Sequence, residues 1–191
     1  MCNASPSQSC STLCAIEPFP MGVTIHFEGQ LTCDDNYNKL IEVAKVFAEE
    51  NDFQYFLFQE KNKLLQRVRD EKDWDYLGST KGIQLQPDEN CDPLILEFDE
   101  TLYLQEYCKT QFTDISVHIL IIDLLRQIQH FFKSITIEDE GEYWETSDIN
   151  ILQQHIDSCF KAMEDVKKEN SKMEGPFRLK DGRIVDLMEN D

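Results

Sequence analysis

Residues 94–109, LILEFDETLYLQEYCK, contain two predicted strands joined by a short turn. Apolar and polar residues alternate on both sides of the polar turn Asp99-Glu100-Thr101, which is the pattern of a half-buried β-hairpin. Successive side chains of a strand point to opposite faces. One face carries Leu94, Leu96, Phe98, Leu102 and Leu104, and the other carries Glu97, Asp99, Tyr103, Gln105, Tyr107 and Lys109. We expect helices to cover this second face; the alternative is an open, concave site.

Further strand patterns lie on both sides of this hairpin. Residues 22–28 alternate between apolar and polar side chains, and short apolar segments separated by turn residues cover 53–58, 64–68 and 82–86. Short connections between successive strands favour antiparallel pairing. The stretch Arg67–Gly78 is compatible with a strand or with a loop folded back on the core.

Three segments, 37–48, 113–132 and 149–166, repeat apolar residues at the helical period. Thr32 and Asp35 resemble a capping box before the first segment. The second segment starts around Thr113 or Asp114, and Thr146-Ser147-Asp148 is suited to cap the last one, because short polar side chains accept hydrogen bonds from the free amides of a first turn. The pattern therefore predicts three amphipathic helices.

These patterns together predict an α+β fold. A mainly antiparallel sheet, with a mixed sheet left open, is covered by about three helices and followed by a C-terminal hairpin at Asp181-Gly182. With 191 residues, of which 41% are hydrophobic, the chain is long enough to bury one continuous core without disulfides. We expect a flexible Cys- and Ser-rich leader over 1–20, a single domain over 21–174 and a C-terminal hairpin or tail over 175–191.

The strongest feature of the composition is acidity. The chain has 37 Asp and Glu against 18 Lys and Arg, a formal net charge of −19. Such a field repels nucleic acids and anionic membrane surfaces, because both are bound through basic residues. No apolar run approaches the ~20 residues of a membrane span, and residues 1–14 lack the basic and apolar parts of a secretory signal. The sequence predicts a cytoplasmic protein that binds neither nucleic acid nor membrane.

The cysteines fit a reducing compartment. Four of them, Cys33, Cys91, Cys108 and Cys159, are scattered through predicted structured segments, as buried thiols are, so disulfides are not expected. The other three, Cys2, Cys10 and Cys14, cluster in the leader, where lipidation, oxidation and metal binding stay open. Their spacing matches no paired zinc motif. The sequence predicts no cofactor and no metal site.

An acidic block lies between the predicted strand at 134–137 and the last helix, a position typical of ligand-binding loops. It places two aromatic residues among carboxylates, and this combination suits a basic partner because rings supply contact area and carboxylates steer association. The predicted partner-binding residues are Glu138, Asp139, Glu140, Glu142, Tyr143, Trp144 and Glu145. The other interpretation is a solvated acidic loop that Trp144 anchors to the core.

A second class of function is a small metal-assisted hydrolase. Its ligands or acid–base groups would come from Glu97, Asp99, Asp139 and Glu142, with assistance from His26 or His118. The sequence contains no phosphate-binding loop, nucleophile elbow, zinc-protease motif or dinucleotide fingerprint. An enzyme is therefore the less favoured interpretation.

Two histidines each lie one helical turn from a residue that could act with them. Asp114 and His118 have the spacing of an orienting hydrogen bond, and His155 and Cys159 have that of a base and a nucleophile. However, Cys159 falls on the apolar stripe of its helix, where burial makes a thiol unreactive. We therefore predict no catalytic residue.

The sequence favours an acidic protein-binding module. Its concrete form is an inhibitor or immunity-type protein that occludes the active groove of a basic partner. A structural or oligomeric scaffold, in which acidity only secures solubility, is the third alternative. The oligomeric state stays open.

Overall fold

The structure is a computed structural model that describes residues 22–69 and 72–189. The predicted leader, with Cys2, Cys10 and Cys14, lies outside the described residues. The strands are β1 (Thr24–Leu31), β2 (Gln54–Leu65), β3 (Val68–Arg69), β4 (Lys72–Asp73), β5 (Tyr76–Gln86), β6 (Leu94–Phe98), β7 (Tyr103–Lys109), β8 (Phe132–Asp139), β9 (Met173–Glu174), β10 (Phe177–Arg178), β11 (Ile184–Val185) and β12 (Met188–Glu189). The helices are α1 (Asp34–Glu50), α2 (Ile115–Ile128), α3 (Tyr143–Thr146) and α4 (Ile149–Glu169), and a 3₁₀ turn, Gln129–Phe131, follows α2.

Two antiparallel three-stranded sheets, ordered β7-β1-β8 and β2-β5-β6, form the centre of the fold. The predicted α+β class with an antiparallel sheet is confirmed. The hairpin of residues 94–109 joins the sheets, because it supplies β6 to one and β7 to the other. Asp99 N–H donates to Tyr103 O and Asp92 N–H donates to Lys109 O, both at 3.0 Å, so the two strands are tied at their ends. Between these ends the described residues form no β6–β7 ladder, and the sheet is split.

Helices α1 and α2 pack on the apolar face of the split sheet. Their stripes and the inward residues of the strands form one buried cluster, whose large members include Phe27, Leu40, Leu96, Phe98 and Ile121. Burial of these residues removes apolar surface from water and supplies the main stabilising free energy. The apolar face of the 94–109 hairpin is buried as predicted. Helix α4 packs at the end of the sheet, where Leu152 and Ile156 meet Val23.

The opposite face of the sheet has no helix layer among the residues that the structure describes. His26 and Glu28 of β1 and Gln105 of β7 lie on this face and line an open groove. Our expectation that helices cover the face of Glu97 and Tyr103 is therefore wrong. Each helix has a single apolar stripe, and burying that stripe against Leu and Phe removes more apolar surface from water than covering a polar face would.

The helix starts agree with the sequence in two cases and differ in one. The Asp114 carboxylate accepts the Ser116 N–H at the start of α2, and Asp148 accepts the Asn150 N–H at the start of α4. The expected capping box of α1 is wrong: Cys33 is the N-cap, and Asp34 and Asp35 lie in the first turn, where the helix dipole favours negative charge. Within residues 22–69 and 72–189, no helix combines the length and apolar character that crossing a membrane requires.

A first arm lies over the open face of the sheet. It consists of the end of β2, β3, β4 and the start of β5, and we call it the Arg67 arm. The side-chain amide of Gln105 bonds twice to the backbone of Val68: its Oε1 accepts the Val68 N–H at 2.9 Å, and its Nε2 donates to the Val68 carbonyl at 2.5 Å. The described residues of the ambiguous stretch 67–78 thus form short strands folded onto β7.

A second arm is the C-terminal hairpin, residues 173–189. β9 pairs with β12 and β10 pairs with β11 around the predicted Asp181-Gly182 turn, where Gly182 has a φ of 89°. The hairpin is held by charged contacts, including Lys109 Nζ to the Asp186 carboxylate at 2.9 Å. It adds no strand to the two central sheets among the pairings described.

We predict that Gly82→Ala destabilises the protein by at least about 2 kcal/mol, measured by urea unfolding. A Cβ at Gly82 would lie 2.1 Å from the Leu96 carbonyl oxygen and 3.0 Å from the Glu97 Cα, so backbone has to move. The control is Gln84→Ala, two residues along β5, for which we expect a change below about 1 kcal/mol. Equal effects of the two variants would contradict the close approach of β5 and β6.

Candidate functional site

The open face of the sheet forms a groove of about 1240 Å³ between the two arms. Its floor comes from β1, β7 and β8, with His26 facing Tyr107 on one side and Glu138 on the other. Strand alternation directs these side chains into the groove while Ile25 and Phe27 enter the core. The Arg67 arm and the tip of the C-terminal hairpin complete its walls.

The groove is strongly acidic. Of the described residues that line it, nine are carboxylates: Glu28, Glu97, Glu106, Glu138, Asp139, Glu140, Glu142, Glu145 and Asp181. The cationic or titratable basic residues lining it are Arg183 and His26. Five of the seven residues predicted from the acidic block therefore lie together in one wall, which we call the acidic wall (residues 138–145).

Asp139 holds the acidic wall in position. Its carboxylate accepts hydrogen bonds from the amides of Gly141 at 2.8 Å, Tyr143 at 2.8 Å and Trp144 at 2.9 Å, and it contacts His118 Nε2 at 3.1 Å. Burial acts to raise the pKa of Asp139, but these hydrogen bonds outweigh it and hold the pKa below the ordinary value. Since an ionised carboxylate only accepts, His118 Nε2 carries the proton of this bond.

His118 completes a buried row of three side chains. Its Nδ1 lies 2.7 Å from Thr110 Oγ1, so a hydroxyl, an imidazole and the Asp139 carboxylate follow one another as in a catalytic triad. All three side chains are buried, however, and no substrate reaches the hydroxyl. The expected pairing of His118 with Asp114 is wrong, because Asp114 caps α2. This row is a structural connection between β8 and α2.

The two aromatic residues of the acidic wall pack inward. Tyr143 and Trp144 are half-buried against the main core, and the Arg126 guanidinium lies 5.6 Å from the centre of each ring. Arg126 Nη2 also donates to both of their carbonyl oxygens, at 3.2 and 3.1 Å. Neither ring lines the groove. Their contacts fix α3, so that the neighbouring carboxylates point outward.

Glu140 and Glu142 are tied to the ends of neighbouring elements. Glu140 accepts the Thr24 N–H at 2.8 Å and lies 3.9 Å from His26 Nε2. Burial acts to raise the pKa of Glu140, but these contacts outweigh it and lower the pKa. Glu142 lies 3.5 Å from His155 Nε2. Glu138 and Glu145 are exposed, and they are the freest carboxylates of the acidic wall.

The Arg67 arm brings a buried arginine to the sheet. Arg67 Nη1 donates to Asp99 at 2.7 Å, and Nη2 donates to the Tyr103 carbonyl at 3.2 Å. The guanidinium lies 4.9 Å from the Tyr103 ring centre and 5.4 Å from that of Tyr76. Burial acts to raise the pKa of Asp99, but the bonds from Arg67 and the adjacent turn lower it below its ordinary value. Asp99 is thus a structural partner.

The C-terminal hairpin brings a second arginine. Arg183 Nη2 donates to Glu106 at 2.7 Å, and its guanidinium lies 4.0 Å from the Tyr107 ring centre. Burial raises the pKa of Glu106 above its ordinary value; the Arg183 charge opposes this rise and the nearby Glu97 charge adds to it. Both arms therefore use one chemistry, a guanidinium paired with a carboxylate and stacked on a tyrosine.

Glu97 lies on β6, two residues before Asp99, and its charge helps to raise the pKa of Glu106. Its side chain is 4% exposed, and its Oε2 accepts a hydrogen bond from Lys63 Nζ at 2.9 Å. Its Oε1 is buried and accepts no hydrogen bond from any described residue. Glu97 also lines the groove.

Of the residues proposed for a hydrolase, Glu97, Asp139, Glu142 and His26 line the groove. Asp99 is used by Arg67 and Asp139 by His118, and no three described His, Cys, Asp or Glu side chains are arranged to hold a metal ion. Burial raises the pKa of the Cys159 thiol to about 11, as expected for an unreactive core cysteine.

Sequence reasoning missed Glu106, Asp181, Arg67 and Arg183. Alternation put Glu106 on the apolar side of β7, between the buried residues Leu104 and Cys108. A charged residue at such a position needs a buried partner, so its place in the apolar pattern predicts an ion pair. The partner, Arg183, lies 77 positions away, so nothing local identified it.

Comparison with known proteins gives no match: no family model fits the chain, and no similar curated protein or solved structure is found. The groove itself is therefore the basis for assigning a function.

We predict that Asp139→Asn lowers the free energy of unfolding by about 3 kcal/mol at pH 7, because it breaks a buried, hydrogen-bonded pair. Glu138→Gln, one residue away and exposed, removes the same charge and should change it by less than about 0.5 kcal/mol. The measurement is urea unfolding of both variants. Similar losses would show that charge, and not the Asp139 contacts, is responsible.

The difference between wild type and Asp139→Asn should also depend on pH. The pKa of Asp139 is lowered in the folded state, so its stabilising effect is complete above the ordinary Asp pKa of about 4 and is lost as pH falls below it. Unfolding at several pH values between about 3 and 7 measures the difference. A difference that stays constant down to pH 3 would contradict this assignment.

Proposed function

We propose that the protein is a binding module for a basic protein partner, and that it acts by occlusion, as an inhibitor or immunity-type protein does. The observation that carries the proposal is the concentration of nine carboxylates in one open groove. The groove occupies the sheet face on which none of the described helices packs, so it is open to solvent in this structure.

The electrostatic imbalance of the groove supports a cationic occupant. Like charges held on one wall repel each other, and low-dielectric walls focus their field outward into the groove. A surface with complementary Lys and Arg relieves this repulsion and is drawn in rapidly at low ionic strength. An acidic surface that served only solubility would need no such concentration on one face.

Exposed apolar groups beside the carboxylates supply contact area. Tyr107 is 41% exposed on the floor, and Val68 is 59% exposed on the edge of the Arg67 arm. Buried aromatic and aliphatic side chains at the centre of an interface provide most of its affinity, while surrounding charges provide selectivity. Tyr107 thus takes the anchoring part that the sequence assigned to Tyr143 and Trp144, whose rings hold the acidic wall in shape.

Occlusion follows from the shape of the site. A basic lobe of the partner would lie along the groove, with its Lys and Arg facing Glu138, Glu142 and Glu145. If those basic residues form the partner's own substrate-binding surface, the complex blocks that surface without any chemical step. The mechanism needs neither a metal ion nor a catalytic residue of this chain.

The test removes charge from the acidic wall and leaves its frame intact. We predict that Glu138→Gln/Glu142→Gln/Glu145→Gln weakens binding by about tenfold or more at low salt. A native cell extract passed over immobilised protein and eluted with a salt gradient identifies the partner, and the purified partner then gives Kd for each variant. Wild-type affinity should fall steeply as salt rises.

The matched control removes three charges from the helices. Glu50, Glu164 and Glu169 are exposed on α1 and α4, and none lines the groove. The triple Gln variant at these positions should bind the partner within about threefold of wild type, since only screened long-range attraction is lost. Equal weakening by both triple variants, or a Kd independent of salt, would refute the groove as the binding site.

A further inference from the structure

Glu97 presents an acceptor atom that the folded chain leaves unused. The side chain is 4% exposed, Lys63 occupies Oε2, and no described residue donates to Oε1. A buried polar atom without a partner costs free energy, and native structures contain few of them. Because Glu97 lines the groove, a partner that enters the groove brings its donors close to this side chain.

The surroundings of Glu97 favour a cation at this point. Glu106 lies near enough for the Glu97 charge to contribute to the raised pKa of Glu106. Two neighbouring carboxylates, both largely buried, repel each other strongly in a low-dielectric site. Lys63 and Arg183 each neutralise one carboxylate of the pair, while the groove as a whole is lined by nine carboxylates against Arg183 and His26.

The fold already binds two guanidinium groups of its own chain, and one of them, Arg183, lines the groove. Arg67 pairs with Asp99 beside the Tyr103 ring, and Arg183 pairs with Glu106 beside the Tyr107 ring. Glu97 lies on β6, adjacent to both arrangements along the split of the sheet. A guanidinium has five donors in a planar fork and reaches two acceptors at once, whereas an ammonium group acts as a point charge.

We propose that the basic partner inserts an arginine side chain into the groove between the two arms, and that its guanidinium donates a hydrogen bond to Glu97 Oε1. This inference rests on the proposed function, and it assigns the residue that selects arginine. Glu106 lies on the opposite side of the split and is the second acceptor. The acidic wall steers the partner, and Glu97 receives the inserted side chain.

The first experiment uses two amidated, fluorescein-labelled peptides, Gly-Arg and Gly-Lys repeats of equal length, and measures Kd by anisotropy at low salt. Wild type should bind the arginine peptide more tightly than the lysine peptide, by about fivefold or more. Glu97→Gln should weaken binding of the arginine peptide by about tenfold and remove the preference for arginine. The control, Glu164→Gln, loses the same charge on α4 and should change both Kd values by less than about twofold.

The second experiment removes the internal competitor. Lys63→Met retains the length of the side chain but frees Glu97 Oε2, so it should strengthen binding of the arginine peptide by about threefold or more. Lys133→Met makes the same charge change at an exposed position of β8 and serves as the control. Thermal melts of all four variants verify that each is folded under the binding conditions.

The outcomes separate this inference from the proposed function. If wild type binds both peptides in a salt-dependent way but Glu97→Gln behaves like Glu164→Gln, the groove is a cation-binding surface and arginine insertion at Glu97 is refuted. If wild type binds neither peptide at low salt, the proposed function and the inference both fail. Opposite effects of Glu97→Gln and Lys63→Met, each larger than its control, support insertion.

Discussion

The groove depends on the hydrogen bonds of the buried Asp139 carboxylate. This carboxylate lies at the end of β8, contacts His118 of α2 and accepts three amides of the loop that leads into α3. One side chain thus connects the sheet, the helix layer and the acidic wall. Without these bonds, the loop would be a run of like charges with no reason to stay compact. A buried carboxylate therefore orients the exposed carboxylates of the acidic wall.

Two groups of carboxylates differ in their surroundings, those paired with an arginine and those exposed to solvent. Asp99 and Glu106 are largely buried, and each forms an ion pair with an arginine from a distant segment: Asp99 with Arg67, and Glu106 with Arg183. This agrees with the rule that a buried charge is tolerated only when it is paired. The exposed carboxylates Glu138 and Glu145 have no such arm over them. The arms consequently mark the ends of the groove and leave the acidic stretch between them open.

Local patterns predicted most of the fold. Alternation, helical periodicity and turn chemistry are properties of short segments. They therefore predicted the strands and turn of residues 94–109, the helices and the Asp181-Gly182 turn. The clustering of the acidic wall was readable for the same reason. Three features could not be predicted: the open face of the sheet, the two arms, and the pairing of His118 with Asp139. Each depends on contacts between residues far apart in sequence, and such contacts leave no periodic signal. The structural role of Asp139 was not predicted either, because the sequence does not distinguish a carboxylate with buried hydrogen bonds from the exposed carboxylates beside it.

The split between β6 and β7 connects the architecture to the proposed recognition. Strands joined by a full ladder lie about 4.8 Å apart, and at that distance no side chain of a partner enters between them. The ladder is interrupted over the stretch that carries Glu97 and Glu106, while hydrogen bonds at Asp92 and Asp99 keep the hairpin closed at its ends. A chain selected for stability alone would gain by completing this ladder and by satisfying Glu97 Oε1 internally. Under the proposed insertion, a bound guanidinium supplies the donor that Oε1 lacks, so the cost of this unpaired acceptor falls only on the free protein.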